Sequence, residues 1–292
     1  VPPQHIPQPH CTGNALRADL NARAHAFAQQ HALLHELSTG KQPSVLFGED
    51  DHGRHGNFHP ASYRAICRNP AWRARLLKAH TAGRRARPRA DWHWRELDCA
   101  ASSDALLMNI FCHPLVFRSG RVAALLGCAA TSAPVFGLQP RLLRERNLVD
   151  TTEIDMALTD GDTHSLFEAK LTESDFQTAR PALLNRFPGW HTVLDPEALA
   201  RTPTGAFHGY QLIRGVLAAH AGNPTAEASF TVLCDARRLD LIAQWHTVIG
   251  AVHSAALRCR LRLLTWQELC PALPPTLQQF LAHKYGILPA TS

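Results

Sequence analysis

Residues 152–171 read TEIDMALTDGDTHSLFEAKL. Two short alternating runs lie here, separated by Asp160-Gly161. Ile154, Met156 and Leu158 would face a core, which turns Glu153 and Asp155 to the opposite side. In the second run Phe167, Ala169 and Leu171 point inward and leave Glu168 and Lys170 together on the other face, because strand side chains alternate with period two. Asp-Gly between such runs is a strong hairpin signal. The hairpin therefore gathers Asp155, Glu168 and Lys170 on one face of a sheet. Two carboxylates suit a hard divalent cation such as Mg2+, which takes oxygen ligands and is commonly held by one or two carboxylates plus substrate phosphate. A neighbouring lysine can orient or deprotonate water, or neutralise charge developing on phosphate. The competing account is a solvated hairpin face with an ordinary Glu168–Lys170 pair.

Asp155 followed across a hairpin by Glu168-Ala169-Lys170 resembles the PD-(D/E)XK nuclease signature, with Ile154 in the proline position. The order downstream is similar as well. FHGYQLIRGVLAAH (Phe207 to His220) resembles the helix that follows the core hairpin, with Gln211 where many members carry a helix glutamine. SFTVLCDAR (Ser229 to Arg237) and RCRLRLLTWQEL (Arg258 to Leu269) look like the later core strands. ASSDALLMNIFCHPL (Ala101 to Leu115) is similar to the first helix of a bacterial group of restriction-endonuclease-like proteins.

The resemblance covers roughly residues 95 to 285. It implies an α/β fold: a three-layer restriction-endonuclease-like core with a mixed central sheet flanked by helices. It also implies Mg2+-dependent phosphodiester cleavage, with Mn2+ able to substitute. Asp155, Glu168 and the main-chain carbonyl of Ala169 would hold the ion, Lys170 would position or activate water, and Gln211 would help hold the site together. Many relatives place a glutamate on the first core helix. Here the only acid within that helix is Asp104, so a single well-occupied ion is expected. Supporting candidates are Glu153, which shares a face with Asp155, and Ser102 and Asn109, which are seven apart on the first helix. Thr172 continues the face of Glu168 and Lys170 and is a candidate contact to the nucleic-acid backbone, as is Arg214, three residues beyond Gln211 on its helix. Each also reads as an ordinary surface or helix-face residue.

Charge distribution points to a polyanion. The chain has 292 residues, is 45% hydrophobic and carries a formal charge of +6. Length and composition allow one large core, and net charge permits but does not establish polyanion binding. Residues 61 to 90 contain nine Lys or Arg and no Asp or Glu, while the remaining chain has 21 basic and 24 acidic residues. One thirty-residue block thus carries the whole basic excess. Arg84, Arg85, Arg87 and Arg89 are its densest part. Such a block can contact phosphates and make affinity salt-dependent; a solvated basic connector is the other reading. Beside a metal-carboxylate hairpin it favours nucleic acid, DNA in particular, over a small phosphate ester.

The expected organisation is a helical, loop-rich basic extension over residues 1–94 and a nuclease core over 95–292. Helical spacing runs from Ala15 to Leu37, two helical pieces break around Asn69-Pro70, and Ser102 or Ser103 caps the first core helix. Val122 to Pro140 is free of charge but interrupted by Gly and Pro, which makes it a buried helix-turn-strand rather than a membrane span. Helices are further expected over Leu239 to His253 and Thr276 to Lys284. The eight cysteines include no C-x-x-C pair, so a cysteine zinc site is poorly supported and a reducing cytosol is the simplest setting. The proline-rich start VPPQHIPQPH lacks an apolar signal region. The expected protein is soluble and cytoplasmic, acts on DNA without a membrane, and has a homodimer as a candidate assembly, because double-strand cleavage needs two sites. The alternative function is a nucleic-acid-binding or assembly module with weak or partner-dependent catalysis. His52, His55 and His59 beside Glu49, Asp50 and Asp51 read as a solvated polar loop.

Overall fold

A computed structural model describes residues 11–38, 43–78, 95–129, 133–140, 142–145, 148–160, 163–221 and 228–289. The chain enters through helix α1 (Gly13–Gln30), capped where the Thr12 side chain accepts the Ala15 N–H. The periodic pattern continues to Leu37, but the helix stops at Gln30. Ala32 adopts a left-handed φ of 47°, and His35–Leu37 becomes strand β1, paired antiparallel with β2 (Val45–Phe47). Helices α2 (Pro60–Arg68) and α3 (Pro70–Arg75) share Asn69, which ends one and caps the other. Proline at the first helical position fits this junction, because its missing N–H would have no intrahelical partner there.

Helix α4 (Ser103–Phe111) is capped by Ser102. Short helix α5 (Arg121–Leu126) and strand β3 (Ala133–Leu138) realise the uncharged stretch as helix, turn and strand. The hairpin follows as β4 (Ile154–Asp160) and β5 (Thr163–Ala169), with Asp160 paired to Thr163. Gly161 of the expected turn lies outside the described residues. Next come β6 (Thr178–Ala179), α6 (Pro181–Leu184), α7 (Trp190–Val193), β7 (Phe207–His208) and α8 (Tyr210–Ala221). The chain closes with β8 (Ser229–Cys234), α9 (Leu239–Gly250), α10 (Ala255–Arg258), β9 (Leu261–Thr265), α11 (Trp266–Leu269) and α12 (Pro275–Tyr285).

Among the described residues the central sheet has five strands in the order β3-β4-β5-β8-β9. β3, β4 and β5 run antiparallel, whereas β5–β8 and β8–β9 are parallel. Parallel neighbours need a crossover, and α8 and α9 supply the two here. Helices cover both faces, which gives the mixed α/β three-layer architecture expected of a restriction-endonuclease-like core.

On one face Ala157, Leu166, Phe230 and Val232 pack against Leu212, Ile213 and Val216 of α8 and Trp245 and Val248 of α9. Gly215 lets α8 lie flush on β8: a Cβ there would stand 2.2 Å from the Phe230 ring. On the other face Met156, Leu158, Phe167, Ala169 and Leu171 join Leu16 and Leu20 of α1, Leu107 and Ile110 of α4, and Leu277 and Leu281 of α12. Each fully buried leucine or valine contributes about 2 kcal/mol. Helix α1 thus builds the same core as the hairpin. Ile154 departs from its expected side and packs in the α8–α9 layer. It pairs with Leu138 of β3 beyond the skipped Gly137 position, where the left-handed φ of Gly137 interrupts the alternation, and both side chains pack in that layer.

Candidate active site

β4 and β5 pair as far as Met156–Phe167. The next rung would place Asp155 opposite Glu168. The strands part there instead, while on its other edge β5 stays paired with β8 from Ser165–Ser229 through Glu168–Val232 and Ala169–Leu233. The Ala169 N–H donates to Asp155 Oδ2 at 2.8 Å, so a carboxylate side chain replaces a backbone partner at the point where the ladder opens. Glu168 lies beside it, 2% exposed. Its Oε1 accepts from Lys170 Nζ at 2.6 Å and from Gln211 Nε2, on the first turn of α8, at 2.6 Å. Both bonds converge on one oxygen, which leaves Oε2 without a hydrogen bond among the described residues.

Electrostatics follow from this crowding. Desolvation pushes the Asp155 carboxyl well above its ordinary value; the charges of Glu168 and Asp104 add to the rise, and Lys170 and the Ala169 N–H oppose it. Burial alone would lower the Lys170 ammonium, but Glu168, Glu173 and Asp155 raise it above 10.5. Lys170 is 5% exposed and lies over the Phe176 ring. It is a charged, positioned group in this geometry.

Two crowded carboxylates that repel one another form an oxygen donor set that a hard cation would relieve, so the residues fit Mg2+. Among the described residues there is no cluster of three or more His, Cys, Asp and Glu in metal-binding arrangement. In the histidine-rich loop His52 is exposed, but His55 and His59 are buried, so the expected solvated loop is found only in its first half.

A family model described as restriction endonuclease associating with ARP matches residues 21–286. The chain belongs to that family. Restriction-endonuclease membership agrees with the resemblance carried by Asp155, Glu168 and Lys170, and it supports nuclease activity. No curated protein and no solved structure matches significantly.

The remaining expected site residues fall into different places. Glu153 enters β4 and pairs with Arg75, Nη1 to Oε2 at 2.6 Å. Ser102 caps α4 and accepts the Ala105 N–H at 3.2 Å. Asn109 does not approach the carboxylates. It is fully buried, accepts from the His59 N–H at 2.6 Å and donates to the Asn57 carbonyl at 2.9 Å, because the loop before α2 lacks helical partners for these groups. Thr172 lies past the end of β5 and is buried against α1, with Arg17 Nη2 3.5 Å from its carbonyl and hydroxyl. Arg214 does not reach the surface either. It is 3% exposed and holds Asp150 Oδ2 at 2.7 Å and the Thr152 carbonyl at 2.9 Å. Its guanidinium is committed to Asp150 and Thr152 inside the fold rather than presented at the surface. Arg84, Arg85, Arg87 and Arg89 lie outside the described residues.

Two carboxylates join the site without a sequence signal of their own. Glu173 accepts from Ser103 Oγ at 2.6 Å and from the Leu171 N–H at 2.7 Å. Asp104, buried in the first turn of α4, binds Lys78 Nζ at 2.5 Å and Arg75 Nη2 at 3.3 Å. Arg75 and Lys78 belong to the basic block, so that block reaches the edge of the site.

Proposed function

We propose that this protein is a Mg2+-dependent endonuclease that hydrolyses phosphodiester bonds of DNA, with Mn2+ able to replace Mg2+. The observation that carries this reading is the meeting of Asp155 and Glu168 where β4 and β5 part, with Lys170 and Gln211 both bonded to Glu168. Asp155 and Glu168, with the carbonyl of Ala169, are the groups that would hold the ion. When bound, the ion supplies a Lewis acid for the scissile phosphate. Lys170 offers its ammonium to the attacking water or to a phosphate oxygen, where it offsets charge that grows in the transition state. Its raised pKa favours this positioning role over that of a base. Gln211 fixes the Glu168 carboxylate, so the donor set is ordered before substrate arrives. Arg64, Arg68 and Arg73 on α2 and α3 are exposed. With Arg84, Arg85, Arg87 and Arg89 they would grip the phosphate backbone outside the cleft. A homodimer would bring two such sites to the two strands.

The test is cleavage of supercoiled plasmid and of single-stranded DNA in Mg2+, Mn2+ and EDTA. Wild type should cut only with metal. Asp155→Ala and Lys170→Ala should each lose cutting while retaining DNA binding. Cutting by purified Lys170→Ala at the wild-type rate overturns the assignment. The family's description, a restriction endonuclease associating with ARP, favours a second reading in which cutting depends on a partner. Salt-sensitive DNA binding without cutting by wild type alone would select it.

A further inference from the structure

Two residues of the basic block, Arg75 and Lys78, lie against carboxylates rather than in solvent. Lys78 Nζ is 2.5 Å from Asp104 Oδ2, and the Arg75 guanidinium bridges Asp104 at 3.3 Å and Glu153 at 2.6 Å. Gly137 fixes where that guanidinium lies. It occupies the β3 position opposite Asp155, between the pairs Phe136–Met156 and Leu138–Ile154, and is the rung those strands skip. Its φ is 68°, and a Cβ there would stand 2.3 Å from Arg75 Nη1. A side chain at this position would expel the guanidinium from the strand surface beside Asp155.

The charges then balance in one way. Asp104, Glu153, Asp155, Glu168 and Glu173 are the site's carboxylates. Against them stand three cations, Arg75, Lys78 and Lys170. The formal excess is two negative charges, which one divalent ion neutralises. Without Arg75 and Lys78 the excess would be four, the balance of a two-metal centre.

We infer that Arg75 and Lys78 take, with their own side-chain charge, the place beside Asp155 that a second divalent cation would otherwise fill, so that the site binds a single metal ion. The inference rests on the metal reading above and assigns a role to the part of the basic block nearest the site. Arg75 and Lys78 are positioning residues that set metal stoichiometry. Asp104 is their anchor, and Gly137 is the clearance that admits the guanidinium.

The test counts Mn2+ bound per chain without nucleic acid, by titration calorimetry with free Mn2+ read by electron paramagnetic resonance. Wild type should bind one ion. The double variant Arg75→Gln/Lys78→Gln should gain a second, weaker site, and adding Asp104→Asn should abolish that second site alone. Lys78 is 29% exposed, so Lys78→Gln alone keeps the test readable if the double variant fails to fold; it too should bind more than one ion. Gly137→Ala should act in the same direction with every charge retained. Two ions on wild type, or one on every folded variant, overturns the inference. No ion on wild type overturns the metal reading itself, a separate and distinguishable result.

Discussion

Replacing Arg214 with methionine removes a guanidinium while keeping most of the length of the side chain, and it separates a structural arginine from a phosphate contact. Asp150, its partner, is fully buried. Asp150 also accepts from Arg144, from the Thr152 N–H at 3.1 Å and from the Thr152 hydroxyl at 2.8 Å. Burial pushes the Asp150 carboxyl up, but the Arg214 charge and the Thr152 donors outweigh it and hold the pKa below 3.8. Without Arg214, a buried carboxylate keeps one guanidinium, and that one is partly solvated. Removing one partner of a buried pair costs about 3–5 kcal/mol. With Arg144 still in place the expected loss is about 3 kcal/mol, the low end of that range. At roughly 2 °C per kcal/mol for a chain of this size, Tm should fall by about 6 °C.

The pH dependence has a definite sign. A carboxyl whose folded pKa is depressed contributes stability that is present above its unfolded value and lost as pH falls through the folded one. The gap between wild type and Arg214→Met should therefore be full at pH 7 and should narrow below pH 3.8. Calorimetric melts at about pH 7 and about pH 3 measure it, with DNA affinity at fixed salt determined where both proteins are folded. Affinity should be unchanged. A variant that melts within about 1 °C of wild type at neutral pH yet binds DNA more weakly would refute the buried-pair account.

Lys284 is fully buried, donates to Asn57 Oδ1 at 2.5 Å, and burial holds its pKa well below 10.5. A depressed lysine penalises the folded state increasingly as pH falls below the unfolded value, so the stability of Lys284→Met relative to wild type should rise between about pH 11 and about pH 7; a pH-independent difference in urea midpoints would contradict this. Gln211→Ala removes a hydrogen bond to a carboxylate, of the class worth about 1.5–3 kcal/mol. It should lower Tm by about 3–6 °C and kcat for plasmid cleavage at least roughly 10-fold, measured where the variant is fully folded, and an unaltered kcat would remove Gln211 from the site. Charge reversal at Arg84, Arg85 and Arg87 should weaken DNA binding and flatten the slope of log affinity against log salt by about 0.9 for each phosphate no longer neutralised. An identical slope would take the segment out of the interface.

The hairpin and its Glu-x-Lys are legible because they are local. Period two and an Asp-Gly turn suffice to place Asp155, Glu168 and Lys170 on one face, and the uncharged run before them resolves into α5 and β3 for similar reasons. Gln211 is legible through family resemblance, since nothing in α8 itself says which of its polar side chains meets a carboxylate. Arg214 shows the difficulty. It lies three residues on along the same helix, but its fate depends on a carboxylate 64 positions away. Thr172 escapes the pattern because it is buried beside Arg17 of α1, a neighbour 155 positions away that strand alternation cannot foresee. Asp104, Glu173, Arg75 and Lys78 are hidden because a charged residue reads as solvated until its partner is known. Arg75 finds its partners 29 and 78 positions away.

Those distant partners gather where the β-ladder stops. Within the paired part of β4 and β5 the backbone satisfies itself and side chains need only pack. Past Met156–Phe167 the rung opens, the Ala169 N–H turns to the Asp155 side chain, and β5 keeps only its β8 neighbour. A carboxylate held in the ladder's place is desolvated without being neutralised, which explains why cations arrive from two directions. Lys170 comes from just past the end of β5, and Arg75 and Lys78 come from the end of α3 and the turn after it, while Gln211 donates from α8. The chemistry attributed to this site is thus a consequence of interrupted strand pairing. Restoring the rung, for instance with Asp155→Val, would be expected to favour the sheet while erasing the site.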